Sequence, residues 1–149
     1  MPKRNLIYFL SFLFLAISCS ESIDTNKKII TDEVFEDFYK IFREDEKFRI
    51  ERTIFPIKVI SYTGGGALHG SAESTTYLSK EDIVNGKKTL YVKEEIVKSQ
   101  GYTHVINKED ETKIKVLVGP PVSEAAVGYI FEKRNKQWFL VEHVDYWGS

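Results

Sequence analysis

The residues best placed to do chemistry lie near the C-terminal end, in "QWFLVEHVDYW" (137–147), where His143 stands two positions before Asp145. The run is rich in aromatic and β-branched residues, so it predicts a strand, and strand side chains alternate between two faces. That period puts the imidazole and the carboxylate on one face, about 7 Å apart. By the same count Phe139, Val141 and Trp147 share their face, and Trp138, Leu140, Glu142, Val144 and Tyr146 take the other. A carboxylate beside an imidazole raises its pKa and fixes its tautomer, as acid–base work requires. His143 and Asp145 are therefore the candidate proton-transfer pair. The plainer account is a hydrogen-bonded strand histidine followed by an aspartate capping the strand end.

Other chemistry is weakly represented. His69 lies in "TGGGALHG" and His104 in "YTHVI", and no two of the three histidines share the spacing of metal ligands. Gly64-Gly65-Gly66 is not followed by the Lys-Ser/Thr pair of a phosphate loop. No serine occupies a nucleophile elbow, and no paired-carboxylate motif points to sugar cleavage. No cofactor and no metal are expected. With 21 basic and 22 acidic residues the net charge is −1, and no basic stripe is present. That balance argues against nucleic acid as a partner and gives no electrostatic reason for the folded part to lie on anionic lipid. Aromatic residues make up 13% of the chain, enough to build a core.

Positioning His143 and Asp145 falls to the elements around them. Val34, Phe35, Phe38, Ile41 and Phe42 form one apolar stripe at helical spacing, with Thr31 as the expected N-cap and Asp32 and Glu33 in the first turn. Phe48 and Ile50 suggest a second short helical turn. "RTIFPIKVISY" (52–62) predicts a strand, which Pro56 makes either an edge or a bulged one. Residues 63–76 predict a loop. Ser79 with Asp82 forms a capping box for a short helix ending near Gly86, and 89–97 is mixed. Residues 102–106 and 113–118 flank the turn "NKEDE", and 126–133 and 137–147 flank "RNK", giving hairpins. Helices followed by strands predict an α+β class: one domain over 32–149, with N-terminal helices packed on a curved antiparallel sheet.

The N-terminus carries an address. Lys3 and Arg4 precede an apolar run, 6–17, broken only by Ser11. As a helix it would reach about 18 Å, short of the ~30 Å hydrocarbon core, so it predicts a secretory signal rather than a span. The sequence Ala16-Ile17-Ser18-Cys19 resembles the bacterial lipobox, with Ala16 where Leu is usual and Leu15 one step earlier. The resemblance implies a signal peptide over 1–18, diacylglycerol on Cys19 and a tether over 19–31. Cys19 is the only cysteine, so no internal disulfide can form.

"FRIERTIFPIKV" and the closing "YIFEKRNKQWFLVEHVDYW" are similar to small lipoproteins of uncharacterised function in Bacteroidota, which have the cone fold of nuclear transport factor two and ketosteroid isomerase. The similarity covers about 33–147 and rests on Phe48-Arg49-Ile50, Phe55-Pro56-Ile57 and the Trp138 hairpin. It implies a concave, ligand-sized sheet face. Acidic residues soon after the lipid-bearing Cys, here Glu21 and Asp24, imply the outer membrane, on its periplasmic face or at the cell surface. The isomerase site would want a carboxylate base and an oxyanion-binding tyrosine. Asp145 and Tyr129 are the positions imaginable, but no local motif matches, and the fold hosts isomerases, dehydratases and binding modules alike. The expectation is a non-catalytic module binding a small apolar or glycan-like ligand, or a partner protein, through Tyr129, Phe139, His143, Asp145 and Trp147. The alternative is an isomerase- or dehydratase-type enzyme using His143 and Asp145. A third is a homodimer through an apolar patch of Tyr129, Phe131, Phe139 and Trp147.

Overall fold

The computed structural model describes residues 31–63, 72–121 and 126–146. The expected signal peptide, Cys19, most of the tether, His69 with its glycines, and Trp147 lie outside the described residues.

Helix α1 (Phe35–Glu44) buries Phe35, Phe38 and Phe42 of the expected stripe together with Tyr39, whereas Val34 and Ile41 of that stripe are exposed. Its N-cap is Val34, which supplies no side-chain cap, so Thr31 does not play that part. The residues before α1 are drawn elsewhere. The Glu33 carboxylate accepts the Trp138 N–H at 2.7 Å and pairs with Arg52 at 2.9 Å, and the Glu33 N–H donates to the Lys136 carbonyl. Helix α2 (Glu46–Glu51) is capped by Asp45, whose carboxylate accepts the Phe48 N–H. Helix α3 (Lys80–Val84) starts in the expected Ser79–Asp82 capping box, with Gly86 at φ +70° beyond its end. Helix α4 (Glu94–Ser99) occupies part of the stretch that was mixed in sequence.

Six strands form one open sheet: β1 (Thr53–Thr63), β2 (Ala72–Leu78), β3 (Thr103–Lys108), β4 (Lys113–Gly119), β5 (Val127–Arg134) and β6 (Gln137–Asp145), in the order β2-β1-β6-β5-β4-β3. Strand β1 runs parallel to β6 and every other pairing is antiparallel. The class is α+β as expected, but the sheet is mixed. Strand β2 replaces the end of the expected loop. Its sequence, "AESTTYL", lacks apolar alternation because it is an edge strand held by backbone pairing with β1 rather than by burial. Strand β1 is interior, but its pairing with β2 begins at Ile57, so Pro56 lies just outside that ladder. It falls where the β1–β6 ladder shifts register, between Thr53 and Lys58, and the Phe55–Pro56 peptide is cis.

The helices cover one sheet face, and Phe38, Phe42, Ile57, Val116, Tyr129, Phe131 and Leu140 are fully buried between the layers. Strand β6 has a bulge. Phe131 pairs with Leu140, but its neighbour Ile130 pairs with Glu142, which leaves Val141 extra. The alternation changes phase there. Trp138 and Leu140 face the helices before the bulge, and His143 and Asp145 face them after it. Phe139 therefore does not share a face with His143. It lies on the other side of the sheet, with the Arg52 guanidinium 5.3 Å from its ring.

Candidate functional site

Tyr129 and Val127 of β5 pair with His143 and Asp145 of β6, and these four residues floor a cavity of about 310 Å³. Tyr91, Val92 and Ile96, from the segment leading into α4 and from α4 itself, form its outer wall. The size suits a small ligand. Tyr129 is fully buried, with its ring stacked on His143 (5.3 Å between centroids) and tilted against Tyr91 (4.7 Å). Its hydroxyl accepts the Val92 N–H at 3.1 Å, which ties the wall to the floor. Burial holds that phenol far above its usual range, so it stays protonated.

Both His143 ring nitrogens are shielded from solvent and have no hydrogen-bond partner among the described residues. Burial pushes the imidazole down to about 4, and the smaller opposing pull of Asp145 does not compensate. The carboxylate does act to raise this pKa, as expected, but desolvation of the imidazolium outweighs the attraction and the net shift is downward. At neutral pH His143 is an uncharged ring with one N–H donor and one nitrogen acceptor.

Of the residues expected in the site, Tyr129, His143 and Asp145 come together, Phe139 does not, and Trp147 lies outside the described residues. The expected dimer patch is not a surface: Tyr129 and Phe131 are both core residues with no exposure. Tyr91, Val92 and Ile96 were not singled out in the sequence. The apolar "LYV" at 90–92 was their only signal, and it does not say which strand the segment covers.

His104 belongs to a different constellation. Its Nδ1 lies 2.8 Å from the Tyr39 hydroxyl, which is 2.7 Å from the Tyr91 hydroxyl. Burial and then Arg43 push its pKa down, with Glu94 opposing. A larger groove, about 680 Å³, lies between the start of α1 and the β3–β4 turn, but charges along it satisfy one another: Glu36 with Lys108 and Asp32 with Lys133. No three His, Cys, Asp or Glu side chains among the described residues are placed to hold a metal ion.

No family model matches the chain, and no curated protein does. Solved structures do match. An NTF2-like protein from Bacteroides fragilis superposes with a TM-score of 0.51 at 14% identity, over 76% of this chain and 47% of that one. A cystatin-like protein from Bacteroides caccae gives 0.52 at 21% identity, and a protein from Bacteroides uniformis gives 0.53 at 18%, each over 80% of both chains. The fold is NTF2-like. The chain spans about half the length of the Bacteroides fragilis protein (47%), and identities this low speak to fold alone. Within this NTF2-like domain the His143 cavity lies on the helix-covered face of the curved sheet.

Proposed function

We propose that the protein is an exported, lipid-anchored binding module whose His143 cavity takes a small, uncharged, largely apolar ligand bearing one hydrogen-bonding group. The observation that carries this reading is the pair of shielded, unpartnered nitrogens of His143. A buried polar group without a partner costs about 1–3 kcal/mol, and a ligand hydroxyl or carbonyl that moves the wall aside to reach the shielded nitrogens recovers part of that cost. Tyr91, Val92, Ile96 and Val127 supply the apolar contacts. Anchoring through Cys19 places the module on the outer membrane, at its periplasmic face or the cell surface. With two or more acyl chains on one residue the attachment is stable.

The shared placement of His143 and Asp145 on the cavity floor favours a second reading, an isomerase- or dehydratase-type enzyme. Binding fits better, since an imidazole with a pKa of about 4 is a poor proton acceptor near neutral pH.

The test is native mass spectrometry of the protein purified from its native host. A bound small molecule that is absent from the His143→Leu variant is the expected result. The variant should bind the extracted molecule roughly 10- to 100-fold more weakly, the equivalent of one lost buried hydrogen bond. Wild-type protein that carries no adduct and takes none from a host extract would refute binding. Proton exchange into a carbonyl compound, lost in both His143→Leu and Asp145→Asn, would favour the enzyme. For the anchor, Cys19→Ser should move the protein from the membrane to the soluble fraction and abolish incorporation of an alkyne-labelled fatty acid.

A further inference from the structure

The outer wall of the His143 cavity is held in two different ways. Tyr91 and Val92 are tied down. Tyr91 is a core residue whose hydroxyl lies 2.7 Å from that of Tyr39, and the Val92 N–H donates to the Tyr129 hydroxyl. Ile96, the third residue of the wall, is carried by α4 and is exposed. Helix α4 is thus the part of the wall that can move with the least disturbance of the core.

Little holds α4 in place. It has six residues, no side-chain cap at its N-terminus and one buried side chain, Val97. A helix this short is not stable by itself. Among the described residues its backbone hydrogen bonds stay between Lys93 and Tyr102, and none reaches the sheet. The polar contact with α1 is Glu94 to Arg43 at 3.3 Å, and the His104 ring of β3 lies 3.8 Å from the same carboxylate. At the C-terminal end the Gly101 and Tyr102 amides turn back to the Lys98 and Val97 carbonyls, with Gly101 at φ +64°. That left-handed turn closes the helix, and a glycine enters or leaves it at little cost. A Cβ on Gly101 would meet no atom within 4 Å, so the turn has open space around it. Few buried apolar contacts and few bonds to neighbours mark a segment that opens locally, well below the free energy of global unfolding.

Both His143 nitrogens are shielded although the ring borders the cavity, so the closed form seals the atoms that a ligand must reach. We propose that α4 is a lid: it swings out about Gly101 while Tyr91 and Val92 stay in place, and this opening is the route by which a ligand reaches His143. A lid has this role only if the cavity takes the ligand proposed above. Its opening is measurable without any ligand, so failure of one reading is distinguishable from failure of the other.

The probe is diethyl pyrocarbonate, which acylates neutral imidazole nitrogens, read by peptide mass mapping beside amide hydrogen exchange. In the wild type the protection of His143, relative to free imidazole, should be at least about tenfold smaller than that of the Leu140 amide, which is bonded to the Arg52 carbonyl and reports global opening. The Val97 and Gln100 amides, which donate to the Lys93 and Ile96 carbonyls, should share the lower protection. Gly101→Ala strains the closed turn without a clash and should lower the protection of His143, Val97 and Gln100 by about tenfold more. Val97→Ala, which trims the one buried side chain of α4, should act in the same direction. His143 as well protected as Leu140 would overturn the lid. So would low protection at Val97 and Gln100 with His143 still shielded, since the helix would then fray without uncovering the ring. Protection that falls only at Leu140 in Gly101→Ala would show that Gly101 is not the hinge.

Discussion

His143 shows how one residue can invert the chemistry its neighbours suggest. Beside a carboxylate the ring should be easy to protonate, yet burial makes it hard, and the consequence is a pH dependence of folding. The unfolded chain protonates this histidine near 6.5 and the folded protein only near 4. Between those values the unfolded state holds more protons, so the stability contributed by neutral His143 is full above pH 6.5 and is lost as pH falls towards 4. The difference corresponds to a loss on the order of 3 kcal/mol. Urea midpoints at pH 7 and pH 4.5 should therefore diverge more for wild type than for His143→Leu. Equal shifts in the two proteins would show that His143 is not titrating as its burial implies.

At the scale of elements, the bulge at Val141 and the glycine at 128 decide what each sheet face carries. Were Val141 part of a regular ladder instead of bulged, His143 would point away from the helices and the cavity would lose its polar floor. Gly128 pairs with Val144 on the open face, and the Tyr146 ring packs over it: a Cβ there would lie 3.2 Å from Tyr146 Cε2 and 3.3 Å from Val144 Cβ. Tyr146 is itself held between Tyr62, stacked at 5.5 Å, and Lys115, whose Nζ donates to its hydroxyl at 2.9 Å. Gly128→Val should destabilise the protein by roughly 1–3 kcal/mol through overpacking, read as a lower denaturant midpoint at unchanged slope. A midpoint equal to wild type would mean that Tyr146 swings aside without cost.

For the molecule as a whole, the contact that joins its ends in sequence is Glu33. Its carboxylate spans Arg52 and the Trp138 backbone, and the Trp138 indole N–H donates to the Glu33 carbonyl at 3.1 Å. The chain entering the domain is thereby fixed to the start of the strand that carries the site. Glu33→Ala leaves the Trp138 N–H and the Arg52 guanidinium without this acceptor and should cost about 1–3 kcal/mol, measured as a lower midpoint. Glu33→Gln, which keeps one acceptor oxygen, should cost less, and equal costs for the two would assign the effect to packing instead.

Much of this was local and therefore legible in the sequence. The Ser79–Asp82 box and the "RNK" hairpin depend on residues a few positions apart, and both are present, as is the Phe35, Phe38 and Phe42 part of the α1 stripe. In the hairpin Asn135 and Lys136 take positive φ angles of 49° and 66°, the backbone a two-residue turn between twisted strands requires. That His143 and Asp145 share a face was also legible, since no bulge separates them. What the tertiary structure decided involves partners far apart in the chain. Strand β1 lies parallel to β6 although more than 70 residues separate Thr53 from Leu140. The extra residue at Val141 exists only relative to β5, so period-two counting placed Phe139 wrongly. The pKa of His143 was decided the same way: its sign follows from how much water Tyr129 and the segment before α4 exclude, a property of the assembled cavity and not of the two residues that follow it in the chain.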